Sequence, residues 1–232
     1  MGKTLSIAPK GGAKKVHKKR SPWREYGLAL VVAVGSALLI KIFLIQAFRT
    51  PSRSMEDSLL VGDFLLVDKF TYGAPLPFIS LRLPALAHPR IGDIVVFKYP
   101  LDPERVYIKR CIATEGQVVE VRNKVVYVDG SRAQDPPYSK YEDARIFSSS
   151  QNPRDNFGPQ RIPEDYLFVM GDNRDNSRDS RHWGLLPRDL VIGKALCIYW
   201  SCEPGVSPGL LVDQVASLPQ RIRWKRLGDW VQ

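Results

Sequence analysis

Histidine is scarce in this sequence: among 232 residues there are three, His17, His88 and His182. A metal centre built on several histidines is therefore not expected, and no H-E-x-x-H motif occurs. Cysteine is as scarce, with Cys111, Cys197 and Cys202 too few for a disulfide scaffold and without zinc-ligand spacing. Cys197 and Cys202 can pair in an oxidising compartment or stay as small thiols, whereas Cys111, flanked by strand-forming residues, reads as a buried thiol. No metal and no other cofactor is expected. The usual serine-hydrolase signatures are missing too. There is no G-x-S-x-G elbow, and the third residue after Ser54 is Asp57 rather than the lysine of an S-x-x-K motif. These absences leave a serine served by some other base, and a lysine can serve where apolar burial keeps its amine neutral.

Acidic residues are missing from positions 1–24, which carry eight lysines and arginines. The net charge of +10 is therefore largely a tail property, because the remaining 26 basic groups nearly balance 24 acidic ones. A nucleic-acid-binding domain would carry its excess on the folded part, so no nucleic-acid partner is expected. Directly after the tail, Tyr26–Phe48 is a run of 23 residues interrupted only by Lys41 and Gln46. As a helix it would reach about 35 Å, against about 30 Å for the hydrocarbon core of a bilayer. The expectation is a basic cytoplasmic tail (1–24), a single transmembrane anchor (25–48) with Lys41 snorkelling to the headgroups, and an exported remainder. A cleaved signal peptide is the alternative, but no small-x-small cleavage site follows the run. A buried core helix would not account for the eight cations.

Helical periodicity is absent after residue 60. Instead Phe64–Phe70, Ile94–Tyr99, Arg105–Thr114, Gln117–Arg122, Lys124–Val128, Tyr166–Met170 and Leu190–Trp200 are short runs rich in Val, Ile, Tyr and Phe, separated by Gly, Pro, Asn and Asp. The fold class expected is mainly β, an antiparallel catalytic domain over 49–203 preceded by one transmembrane helix. The Pro-, Ser- and Asn-rich stretch within 129–163 reads as an inserted loop or ribbon. Residues 204–232 read as a C-terminal tail, in which Trp224 and Trp230 among Arg221, Arg223, Lys225 and Arg226 suggest either membrane-interfacial contact or a solvated tail.

Several blocks are more specific. Phe48-Arg49-Thr50-Pro51-Ser52-Arg53-Ser54-Met55 follows the apolar run, and Gly62-Asp63-Phe64-Leu65-Leu66-Val67 comes next. Later come Gly92-Asp93-Ile94-Val95-Val96-Phe97, Tyr107-Ile108-Lys109-Arg110, and the eleven residues from Gly171 to Arg181, GDNRDNSRDSR. Together, in this order and behind an apolar segment, they resemble bacterial type I signal peptidases, the leader peptidase family, over most of residues 23–201. The resemblance implies a membrane-bound serine endopeptidase of the bacterial inner membrane. Its partners would be secretory preproteins and the lipid bilayer, with the secretion translocon as a candidate neighbour. Cleavage would follow small residues at Ala-x-Ala-like sites.

Residue by residue, the resemblance makes Ser54 the nucleophile and Lys109 the general base, with the oxyanion held by the Ser54 backbone N–H and the Ser52 hydroxyl. Ser177 would orient the lysine, while Asp172, Asp179 and Arg181 would support the site. Phe48, Met55, Leu59, Tyr107 and Ile108 match substrate-pocket positions, with ordinary core packing an alternative for Phe48 and Leu59. The residues themselves agree on one point: strand alternation puts Tyr107 and Cys111 on the face of Lys109, a mostly apolar setting. An extended substrate could add as a strand beside Tyr107–Lys109. A calcium loop at 173–184 is excluded, since its sixth position is Arg178 and its twelfth Gly184.

Two departures from the family pattern stand out. Asp57 replaces a proline, and Thr50 stands where a larger aliphatic residue often shapes a pocket. A self-cleaving repressor of the LexA type and a non-catalytic β scaffold at the translocon are the rival readings. The apolar segment speaks against the first, and the joint presence of Ser54, Lys109 and Ser177 against the second.

Overall fold

The computed structural model describes residues 22–43, 45–73, 82, 84–203 and 221–231. The tail up to Ser21 and the stretch 204–220 lie outside them. The chain divides into two compact units, Met1–Leu38 and Leu39–Gln232. In the first lies most of helix α1 (Pro22–Phe43), along which Leu28, Leu30, Val31, Val32 and Val34 are exposed. Among the described residues no helix is long and apolar enough to cross a membrane. The expected span also ends early: α1 stops at Phe43, and Ile45–Arg49 form strand β1 instead.

The second unit is built on a seven-stranded antiparallel sheet. It contains β1, β2 (Asp63–Asp68), β3 (Ile94–Tyr99), β4 (Asp102–Ala113), β9 (Tyr166–Met170), β10 (Leu186–Pro187) and β11 (Val191–Ser201), in the order β1-β2-β11-β3-β4-β9-β10. The mainly β expectation is therefore met, and α2 (Ser180–Trp183) is a single helical turn. Alternation sorts the central strands onto two faces. Ile94, Val96 and Ile108 join Met55, Leu59 and Leu65 in one apolar cluster, while Val95, Phe97 and Cys111 pack with Leu167 and Val191 in another. The sheet is covered on both faces, so its central strands read as continuous apolar runs.

The insertion is larger than expected. Strands β5 (Val118–Arg122) and β6 (Val125–Val128) leave the main sheet and join β7 (Ser131–Arg132) and β8 (Phe157–Arg161) in a separate four-stranded sheet, ordered β7-β6-β5-β8. Its apolar side chains Val119, Val121 and Val126 pack against Phe168 and Met170 of β9. The irregular stretch between β7 and β8 is held by charge. Asp175 takes bonds from Lys124 Nζ (2.7 Å) and from the backbone N–H groups of Glu142 (2.9 Å) and Asp143 (2.7 Å). Lys140 N–H and C=O bond Asp172 O (2.8 Å) and Arg174 N–H (2.9 Å), so the insertion forms one wall for the loop after β9.

Two readings left open by the sequence are narrowed. All three cysteines are free. Cys197 sits inside β11, and Cys202 follows its end and bridges Ile222. Five residues of extended strand cover about 17 Å, far beyond the roughly 4.4–6.8 Å between the Cα atoms of a disulfide. Residues 221–231 lie along the β domain rather than as a solvated tail, with Trp230 bridging Cys197 and Val231 packed against the cluster of Met55 and Leu59, and they leave the Trp224 and Trp230 side chains exposed.

Candidate active site

Ser54 sits where β1 gives way to a 3-10 turn, Arg53–Met55. The pairing of β1 with β2 continues to Thr50, whose N–H bonds Asp63 O at 2.8 Å, and Pro51 ends it because it has no N–H to donate. Met55 and Leu59 then sink into the core, with Leu59 N–H on Met55 O at 2.7 Å, and this fixes the turn. Ser54 is buried, and its Oγ lies 3.1 Å from Ser52 Oγ. Asp57 has φ +78°, a left-handed conformation that aspartate tolerates. Proline, locked near −65°, cannot adopt it, so the departure at Asp57 is matched by the local backbone.

Lys109 comes from β4, paired with Val95 on β3. The alternation holds: Tyr107 and Cys111 lie on the same face, and the Lys109 ammonium position is 5.7 Å from the centroid of the Tyr107 ring. Its side chain is buried, with Nζ 2.5 Å from Ser54 Oγ. Burial pushes its pKa down to about 8, helped by Arg181 and opposed by Asp179 and Asp172. A fraction of the amine is thereby neutral near neutral pH, and a neutral amine 2.5 Å from a hydroxyl can accept its proton.

The loop after β9 closes the site from the third side. Asn173 N–H bonds Ser54 O at 3.1 Å. Gly171 is packed so tightly that an added Cβ would lie 2.3 Å from Ser177 Oγ and 2.4 Å from Ser54 O. Asp172 is fully buried and forks onto Arg110, with Nε at 2.8 Å from Oδ1 and Nη2 at 2.7 Å from Oδ2, while Ser58 Oγ also donates to Oδ2. One carboxylate thus ties the turn after Ser54, the residue beside Lys109 and the loop itself. Asp179 and Arg181 form a second buried pair at 2.8 Å, with Gly171 N–H also on Asp179 at 3.0 Å. Burial alone would raise the Asp179 carboxyl, but Arg181, the Gly171 N–H and Lys109 hold it down at about 2. Arg181 spends its remaining N–H groups on Arg154 O and Arg174 O, both at 2.7 Å.

The structure brings together Ser54, Lys109, Ser52, Asp172, Asp179 and Arg181. Ser177 is buried beside Gly171, but its hydroxyl has no hydrogen-bond partner among the described residues, so the expected bond to Lys109 is not formed here. Of the expected pocket residues, Met55, Tyr107 and Ile108 line a groove of about 270 Å³ over Ser54 and Lys109. Leu59 and Phe48 do not: Leu59 is fully buried and Phe48 packs against the same core cluster, the alternative open to both from the start. Val106 and Thr50 line the groove in their place. Because β9 pairs with β4 only from Arg110 onward, the stretch Val106–Lys109 has no strand on that side among the described residues. It offers its backbone to an extended chain. His182, buried enough for its pKa to fall, does not line the groove.

Gly171, Ser58 and Arg110 were not singled out from sequence. Arg110 carried a signal: two adjacent cations inside an apolar strand require a buried anion for whichever points inward. Gly171 and Ser58 carried none, because their roles depend on partners brought close by the fold.

Comparison with known proteins bears on this geometry. The family described as "Signal peptidase, peptidase S26" matches residues 23–200. The chain is 34% identical over 205 residues to "Signal peptidase I" of Pseudomonas aeruginosa, covering 76% of this chain and 72% of that one. It is 38% identical over 186 residues to "Probable signal peptidase I-1" of Synechocystis sp., covering 76% and 83%. Against "Signal peptidase I" of Aquifex aeolicus the identity is 32% over 236 residues, covering 80% and 88%.

Proposed function

Since this chain belongs to the signal peptidase family, peptidase S26, and is a serine peptidase that removes signal peptides from secretory preproteins, we propose that it does so through a Ser54–Lys109 dyad. The observation that carries this reading is the buried amine of Lys109, 2.5 Å from Ser54 Oγ. In the proposed sequence, neutral Lys109 takes the Ser54 proton as Oγ attacks the scissile carbonyl. The Ser54 N–H and the Ser52 hydroxyl receive the oxyanion. The resulting ammonium returns its proton to the departing amine, and water then hydrolyses the acyl-enzyme with Lys109 again as base.

The groove fits an extended segment with small side chains. Its edge, Val106–Lys109, supplies backbone partners, while Met55, Tyr107 and Ile108 leave shallow apolar space beside Ser54. Cleavage after Ala-x-Ala-like sites is proposed on that basis, with Thr50 and Val106 in addition to the positions matched by the family. Attachment to the bacterial inner membrane, with the tail 1–24 cytoplasmic and the β domain exported, is proposed on two observations. These are the eight cations of the tail and the exposed apolar side chains of α1 from Leu28 to Val34. The translocon is a candidate neighbour on the same footing. The match over residues 23–200 displaces the repressor and scaffold readings.

The experiment is direct. Full-length protein in detergent is incubated with a preprotein bearing an Ala-x-Ala site, and the product N-terminus is sequenced. The expected result is one new N-terminus immediately after the second alanine, absent with Ser54→Ala. A cut elsewhere would refute the specificity, and undiminished cutting by Ser54→Ala would refute the dyad.

A further inference from the structure

Asp63 opens β2 and is fully buried. Leu60 N–H (2.7 Å) and Ser201 Oγ (2.6 Å) donate to it. The charge that balances it comes from the far end of the chain: Arg226 Nη2 at 2.7 Å and Arg223 Nη1 at 3.4 Å. The same two arginines also grip the backbone of the loop between Met55 and Asp63. Arg226 Nη2 donates to Ser58 O at 2.9 Å and Arg223 Nη2 to Val61 O at 2.6 Å.

That loop is the one leading out of the Ser54 turn. Ser58, held by its carbonyl on Arg226, gives its hydroxyl to Asp172, which is locked on Arg110 beside Lys109. Val231 packs against the cluster that contains Met55 and Leu59, the residues seating the turn. The segment that delivers the arginines is itself fastened to β11, by Arg223 N–H on Ser201 O (3.0 Å), Ile198 N–H on Asp229 O (2.9 Å) and Val231 N–H on Leu196 O (2.8 Å). At the near end Gly62 allows the approach, since a Cβ there would meet Cys202 O at 2.0 Å.

We propose that residues 221–231 form a clasp that positions the nucleophile, with Arg226 as the positioning residue linking buried Asp63 to the backbone of Ser58. The clasp rests on Ser54 acting as nucleophile, but its contacts lie outside the groove. Arg226 does not touch substrate. Removing it strips Asp63 of its nearest cation and frees Ser58 O, so the turn loses a fixed point one residue before Leu59. The consequence is a lower rate of the chemical step with little change in substrate binding, since the groove walls at Val106–Ile108 are untouched.

The test compares wild type, Arg226→Ala, Arg226→Lys and Ser54→Ala on an Ala-x-Ala peptide, with turnover expressed per natively folded molecule. The native fraction is read from near-UV circular dichroism and thermal melts. For Arg226→Ala the expected result is kcat lower by at least about tenfold with KM within about twofold. Arg226→Lys keeps a cation for Asp63, but its ammonium sits one atom nearer the backbone than Nη2, the atom that reaches both Asp63 and Ser58 O, so it should melt near wild type and still lose kcat. It serves if the alanine variant does not fold. Wild-type turnover per folded molecule in Arg226→Lys and in any folded Arg226→Ala would overturn the clasp while leaving the dyad standing. Undiminished cleavage by Ser54→Ala would overturn both.

Discussion

Ser54→Ala and Lys109→Ala should each lower kcat/KM by at least about a thousandfold, and the double variant should be no worse than either single one. The reason is the 2.5 Å contact between Lys109 Nζ and Ser54 Oγ. The two groups perform one proton transfer, so removing either ends it. Lys109→Arg should fail as well, because a guanidinium stays protonated and cannot act as base. The measurement is steady-state cleavage of an Ala-x-Ala peptide by purified variants with native circular dichroism. Additive losses in the double variant would mean that the two residues act independently.

The second large effect is expected at a residue with no side chain. Gly171→Ala introduces a Cβ 2.3 Å from Ser177 Oγ and 2.4 Å from Ser54 O. Neither gap can be kept, and Ser54 O belongs to the backbone that carries the nucleophile. A displacement on the order of 1 Å at a reacting group costs about a hundredfold, so kcat/KM should fall by at least that much in a protein that still folds. Adding Ser177→Gly relieves the hydroxyl clash but not the one with Ser54 O, and should restore only part of the loss. Near wild-type activity in Gly171→Ala would show that the Ser54 turn and the loop after β9 are not in the close contact described here.

These expectations show which parts of the molecule could be read from the chain. Ser54 and Lys109 stand in short contiguous blocks, and period-2 alternation alone put Lys109 with Tyr107 and Cys111 on one face. The mainly β class was legible for the same reason. Which sheet a strand joins was not: Val118–Arg122 alternates equally well in either, and only its packing on Phe168 places it in the smaller sheet. The start of β1 was hidden because a short apolar run cannot be told from a helix by periodicity, so Ile45–Phe48 read as a continuation of the preceding run. Leu59 and Phe48 were ambiguous between pocket and core, since one apolar residue looks the same in both. The clasp was beyond reach, as Asp63 and Arg226 are 163 positions apart.

The proposed dyad is tested most directly by the pH dependence of kcat/KM for wild type and His182→Ala. Burial holds the Lys109 amine at about 8, and the neutral amine is the active form. At pH 7 only about a tenth of the enzyme is then competent, so the rate should rise about tenfold per pH unit below pH 8 and level off above it. His182→Ala should give the same curve. An inflection below the ordinary histidine value of about 6.5 that disappears in His182→Ala, with Lys109→Ala still active, would contradict a lysine base and make His182 the proton acceptor.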